Sequence, residues 1–349
     1  MRKNLQLHDR ESKRVQQKRF RRKLLTKRAK LLNARRNSAA FDGEEYTIKA
    51  PFAFNIQGKS NRRETLKFLS NFRSNAIERG RAVVLDFADT EHIYPTGGLL
   101  LTAEIDRAKR ILKDDFSVRI IAAKMPRINA VLKQIGIEQI CDADLGEIEE
   151  LDDDTVRHWR FATGERINHQ TTKAFEKFEG RLADNLRKGM WKSISEALAN
   201  SAQHAYLEPR HIGRKRLNHK RWWMFSQERD GMLTVVVCDL GIGIPRSLPL
   251  KWEPRTLSKI YDSIIGQGRD SRSIKAAMEV GASSTGKSHR GRGLPQIWHE
   301  LRSVNAEGIV ILSNKGLLAW DKQSNVEKAH EFNDSIYGTV ISWRVPLDD

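Results

Sequence analysis

The chain has 349 residues, 39% of them hydrophobic, a net charge of +18 and two cysteines. A single core stops growing at roughly 250–300 residues, so two domains are expected. Cys141 and Cys238 lie in apolar contexts without CxxC spacing, so neither a disulfide framework nor a zinc site is suggested and buried free thiols are expected. No run approaches the roughly 18 apolar residues of a membrane span, and the first residues lack the apolar stretch of a secretory signal, so a cytoplasmic location is expected.

The charge is uneven. Residues 1–36 hold 15 Lys/Arg against Asp9 and Glu11, about +13 of the total. Within this arm, residues 1–40 by boundary, Phe20, Leu24, Leu25, Leu31 and Leu32 fall at near-helical spacing. Such an arm is either a solvated, partly helical extension or a grip on a polyanion, since clustered Lys/Arg gain affinity by releasing counterions. Nucleic acid, an anionic membrane surface and an acidic protein all remain open as its partner.

Next comes an α/β pattern. Strands are expected at residues 46–50, 82–87 and 118–122, and helices at 62–78, at 99–112 and from Pro126 to near Gly136. The acidic stretch 142–154 marks a boundary. Between the second strand and the second helix stands His92-Ile-Tyr-Pro-Thr-Gly-Gly-Leu99. With Val83-Val-Leu-Asp-Phe87 before it, this segment resembles the STAS domain of anti-sigma-factor antagonists over residues 44–142. The resemblance implies an α/β domain with Thr96 at the place of the family's phosphorylatable residue, although Tyr94 and Pro95 replace the family's usual Asp-Ser. From chemistry alone Thr96 also suits a helix N-cap, its hydroxyl accepting from a free backbone N–H. Both readings stand.

Residues 155–349 carry three motifs in order. Ser195-Glu-Ala-Leu-Ala-Asn-Ser-Ala-Gln-His204 lies on a helix expected over 190–206, where Glu196, Asn200 and His204 recur every four residues on one face. Small or apolar neighbours make that helix mostly buried, and a buried carboxylate or amide needs partners. The apolar strand 233–239 then runs into Asp239-Leu-Gly-Ile-Gly-Ile-Pro245, where Gly241 and Gly243 let backbone approach a flat ligand. Gly291-Arg-Gly-Leu-Pro295 opens a helix over 294–304 whose free N–H groups suit phosphate. A closing strand, 338–346, carries Thr339.

This set resembles the GHKL superfamily of ATPases and kinases, and its first motif is nearest to the anti-sigma-factor serine kinases. The resemblance implies an α/β sandwich, a mixed sheet covered on one face by helices, with bound ATP and Mg²⁺. By the same resemblance Asn200 would ligate Mg²⁺, Glu196 would orient or deprotonate the attacking group, and Asp239 would read the adenine amino group. His204, Gly241, Gly243, Gly291, Gly293 and Thr339 would complete the nucleotide site. Gly281-Ala-Ser-Ser-Thr-Gly-Lys-Ser288 fits a P-loop pattern, but a helix-like run precedes it where a P-loop needs a buried strand. It reads better as an ATP lid, with Ser284, Thr285 and Lys287 as phosphate ligands.

A second basic stretch, 210–223, ends in Trp222-Trp223. It is either an exposed loop running into a core strand or a stacking site for single-stranded nucleic acid. The functional expectation is an ATPase or protein Ser/Thr kinase, with an ATP-gated binding switch as the alternative. A protein partner is expected and a homodimer is left open. Deleting residues 1–36 is expected to leave ATP binding unchanged and to abolish any salt-dependent gel shift on mixed DNA and RNA. A shift retained by the truncated chain would place the polyanion contact elsewhere.

Overall fold

Alternating strand-like and helix-like periods build a small parallel layer first. The computed structural model describes residues 45–146, 160–165, 184–210, 220–264, 268–283 and 293–347. The basic arm, most of the acidic boundary, the lid residues Ser284, Thr285 and Lys287, and Gly291 lie outside them. Strands β1 (Tyr46–Lys49), β3 (Val83–Asp86) and β5 (Val118–Ile121) pair in parallel in the order β1-β3-β5. Two short strands that the sequence did not signal, β2 (Ala53–Phe54) and β4 (His92–Ile93), pair beside them.

Helix α1 (Lys59–Phe72) continues as a π-helical turn, Arg73–Glu78. Helix α2 (Pro95–Leu112) follows β4, and α3 (Pro126–Gln134) and α4 (Ile137–Cys141) close the segment. The start of α2 corrects one expectation: Tyr94 is its N-cap, Pro95 is the first helical residue, and Thr96 sits one position inside, buried. Proline's fixed φ and missing N–H favour that first position, which moves the cap two residues upstream.

The second half forms a seven-stranded sheet, ordered β11-β10-β9-β12-β8-β7-β6. Its strands are β6 (Arg160–Gly164), β7 (Trp222–Arg229), β8 (Met232–Asp239), β9 (Gly308–Ser313), β10 (Gly316–Asp321), β11 (Val326–Glu331) and β12 (Thr339–Pro346). Every pairing described in this sheet is antiparallel. The expected mixed sheet is therefore corrected, for hairpins join β7 to β8, β9 to β10 and β10 to β11. One face packs on α5 (Asp184–His204), α8 (Arg269–Ser283) and α9 (Gly293–Ser303). Two short helices, α6 (Ile244–Ser247) and α7 (Pro254–Ser263), lie between β8 and α8.

The other face is covered as well. Alternate residues point to opposite sides of a strand. Trp222, Met224, Val235, Val237, Ile341 and Trp343 accordingly join the helix-side core. Trp223, Phe225, Val236, Cys238, Leu312 and Val340 join a single core with Leu99, Leu100, Leu101 and Ile105 of α2. The tryptophans of the second basic stretch are thus core residues. Residues 46–349 make one compact unit.

Fifteen of the 18 residues of α2 are buried, as expected of a helix enclosed on all sides. Its two buried carboxylates are paired. Glu104 meets Arg73 at 2.9 Å and Arg210 at 2.6 Å, and Asp106 accepts from the Trp223 indole at 3.0 Å. Burial pushes the Glu104 carboxyl up, but Arg210 and Arg73 outweigh it and hold the group at about 2. At the start of α2, a Cβ on Gly97 would stand 2.3 Å from the Phe54 carbonyl oxygen, backbone that cannot give way. Gly97→Ala is expected to cost about 1–3 kcal/mol, the range for overpacking a core. Chemical denaturation measures it, and an unchanged midpoint would refute the tight contact.

Candidate functional site

Segments distant in sequence meet along the C-terminal half of α5. Met190, Ile194, Ala197 and Leu198 turn into the core, and that helical phase leaves Glu196 and Asn200 half-buried at the edge of the packed face. The Asn200 amide nitrogen is buried and has no acceptor among the described residues. Such a donor costs roughly 1–3 kcal/mol when unpaired. Beside it is Gly293, the first residue of α9, where a Cβ would lie 2.6 Å from that same nitrogen. A side chain at position 293 would force the Asn200 amide to move.

The second motif is fastened to the end of the same helix. Ile242 donates its N–H to the Ala205 carbonyl at 2.7 Å, and a Cβ on Gly241 would fall 2.1 Å from that oxygen. Gly243 has φ +77°, and a side chain there would strike the Asn314 amide. The protein's own packing therefore already demands glycine at both places.

Asp239 ends β8 directly opposite Thr339 of β12. Gly241 donates its N–H to Asp239 Oδ1 at 2.9 Å. Burial pushes the Asp239 carboxyl up to about 7, against the opposing pull of backbone N–H bonds from Gly241 and Thr339. The Thr339 hydroxyl stands 3.1 Å from Ser313 Oγ, which accepts the Ile244 N–H at 2.8 Å.

His204, in the last turn of α5, contacts the Lys251 ammonium. Burial and then the Lys251 charge lower its pKa, and burial brings Lys251 to about 8. The structure thus gathers Asn200, Gly293, Asp239, Gly241, Gly243 and Thr339, with Glu196 one turn before Asn200 and His204 one turn after. Thr96 is not among them. It belongs to α2, in the layer on the opposite face of the sheet, and is 3% exposed.

Three contributors were not anticipated from sequence. Ser313 ends β9 and Asn314 opens the β9–β10 turn, with Asn314 at φ +51° and its amide donating to the Ile242 carbonyl at 2.9 Å. The Asn314-Lys-Gly316 triplet after an apolar strand is a hairpin signal that would have found them. The Tyr206 hydroxyl accepts from Leu240 N–H at 3.3 Å and donates to the Arg221 carbonyl, a contact that no local pattern encodes.

Comparison of the chain with family models, with characterised proteins and with solved structures returns no match.

The Asp239 carboxyl yields a pH signature. A carboxyl whose folded pKa lies above its unfolded value gives stability that is full below pH ~4 and is lost as pH rises through about 7. Asp239→Asn removes this dependence. Relative to the parent, the variant is expected to gain about 2–3 kcal/mol of stability between pH 5 and pH 8. Urea unfolding at the two pH values tests this, and equal differences at both would show that Asp239 is not strained.

Proposed function

We propose that the seven-stranded half of the chain binds Mg-ATP as a GHKL-type domain and catalyses phosphoryl transfer from it, as an ATPase or a protein Ser/Thr kinase. The observation that carries this reading is the buried Asn200 amide, unpaired and facing the glycine that opens α9. A phosphate group supplies the acceptor that amide lacks, and the N-terminus of α9 favours negative charge. Among the described residues no cluster of three His, Cys, Asp or Glu could hold a metal ion. Mg²⁺ takes one or two protein oxygens together with substrate phosphates and water.

The residues divide the work. Asp239, held in place by Gly241 and Thr339, accepts from an adenine amino group, and the Gly241–Gly243 turn lies against the base. Asn200 would hold the cation through its amide oxygen, and the cation would neutralise charge on the phosphates. Glu196 takes the proton from the attacking oxygen as that oxygen bonds to the γ-phosphorus and the bond to the β-phosphate bridge breaks. Water as attacker gives free phosphate; a protein hydroxyl gives a phosphoester. The burial of Thr96 favours water or a separate protein over this chain's own STAS-like segment as acceptor.

Calorimetry with Mg-ATP is expected to show binding that Asp239→Asn weakens by about 1.5–3 kcal/mol, the scale of a hydrogen bond to a charged group. Glu196→Ala is expected to abolish release or transfer of labelled γ-phosphate while leaving affinity largely intact. Unchanged affinity in the Asp239 variant would refute the site. Binding without any phosphate release or transfer in the parent would leave an ATP-gated switch.

A further inference from the structure

Among the described residues Arg62 is the largest charged side chain that is fully enclosed, 2% exposed, and none of their carboxylates is hydrogen-bonded to it. Its guanidinium donates instead to three backbone carbonyls: Ile56 at 2.7 Å, Asn314 at 3.1 Å and Asp334 at 2.9 Å. It lies 4.0 Å over the Phe332 ring. Burial lowers its pKa to about 10, with the charge of Asp334 opposing the shift. Enclosing a cation without a bonded anion is costly. A planar fork can bridge carbonyls from separate segments at once, which a single-headed donor cannot do.

What the fork holds is the underside of the nucleotide loop. The Asn314 carbonyl also receives the Ile336 N–H at 3.0 Å, and the Asn314 N–H donates to Gly338, next to Thr339. Through its side chain Asn314 donates to the Ile242 carbonyl at 2.9 Å and lies against the Cα of Gly243. A line of contacts therefore runs from α1, in the parallel layer, through Asn314 into the Gly241–Gly243 turn beside Asp239. The neighbouring Ser313 holds Ile244 from the same hairpin.

We infer that Arg62 is a positioning residue for base recognition: the N-terminal layer, through this guanidinium, fixes the turn that reads the adenine. The inference rests on the nucleotide reading for the identity of the ligand, but not for the restraint on the turn. Loss of Arg62 frees Asn314 and loosens the backbone around Gly241–Ile244, while Asn200 and the start of α9 keep their places. Discrimination of the base then suffers more than grip on the phosphates.

The experiment compares the full-length parent with Arg62→Met and Arg62→Lys at a temperature well below their melting points. Amide hydrogen exchange is followed in peptides covering residues 240–247 and, as control, residues 83–86. Arg62→Met is expected to speed exchange in the first peptide at least tenfold and leave the second unchanged, with Arg62→Lys intermediate. Titration with ATP and GTP is expected to show Arg62→Met losing at least tenfold in preference for ATP, with GTP affinity little altered.

Equal protection of residues 240–247 in all three proteins would overturn the inference, as would a lowered melting point with exchange and base preference unchanged. If the parent binds neither nucleotide, the nucleotide reading fails and the exchange result alone decides the restraint. Should Arg62→Met fail to fold, the same comparison on Arg62→Lys decides, since lysine keeps the charge but not the fork.

Discussion

A β-sheet with apolar side chains on both faces is stable in water only if both faces are covered, and the seven-stranded sheet is of this kind. Trp222 and Trp223 are adjacent and point to opposite sides, yet each is 1% exposed. Helices α5, α8 and α9 cover one side, and α2 of the parallel layer covers the other. The hydrophobic effect explains the attachment, and the polar contacts within it explain its register. Glu104 with Arg73 and Arg210, Asp106 with Trp223, and Arg62 with three carbonyls are each geometrically demanding. Buried pairs of this type add little net stability, but breaking one leaves an unpaired charge inside the protein. They therefore penalise any slipped docking of the two halves.

Much of the fold could be read from the chain, because strand and helix periods dominate where burial is one-sided or complete. The apolar run 233–239 is β8, and the long helix bearing Glu196 and Asn200 is α5, begun some six residues earlier than its periodicity indicates. The strands β9, β10 and β11 were less legible. The exposed, charged β11, Val326–Glu331, carries little apolar signal and is held mainly by pairing with β10. The layering was invisible for another reason: a strand buried on both faces looks the same in sequence whichever element supplies the cover. Arg62 was legible after a fashion. It falls in phase with Thr65, Leu66, Leu69 and Phe72 on the buried face of α1, an arginine where the helical period calls for an apolar residue.

The candidate site illustrates how one residue type can answer two demands. Glycines 241 and 243 stand where a flat ligand would require bare backbone, and both are already required by contacts with Ala205 and Asn314. Asp239 shows the opposite relation. Packing alone would favour a neutral group there, and burial resists its ionisation. A residue kept against the preference of its surroundings commonly marks a position maintained for binding rather than for folding. The unpaired amide of Asn200 belongs to the same class. Asn200 lies on α5, and the Asp239 carboxyl accepts a hydrogen bond from Ser201, the next residue of that helix, which makes α5 the common support of both.

The enclosure of α2 also has a consequence for how the molecule is made. On a ribosome the chain is built from its N-terminus, at about 5–20 residues per second. The strands that bury Leu99, Leu100 and Leu101 begin more than 100 residues after them, at Trp222. For several seconds of synthesis the parallel layer is therefore present without its cover, and one flank of α2 is an adhesive surface. Products that stop short of β8 must retain that surface, so incomplete chains are natural clients for chaperones and proteases, and completion of the sheet is the step that makes the chain safe to release.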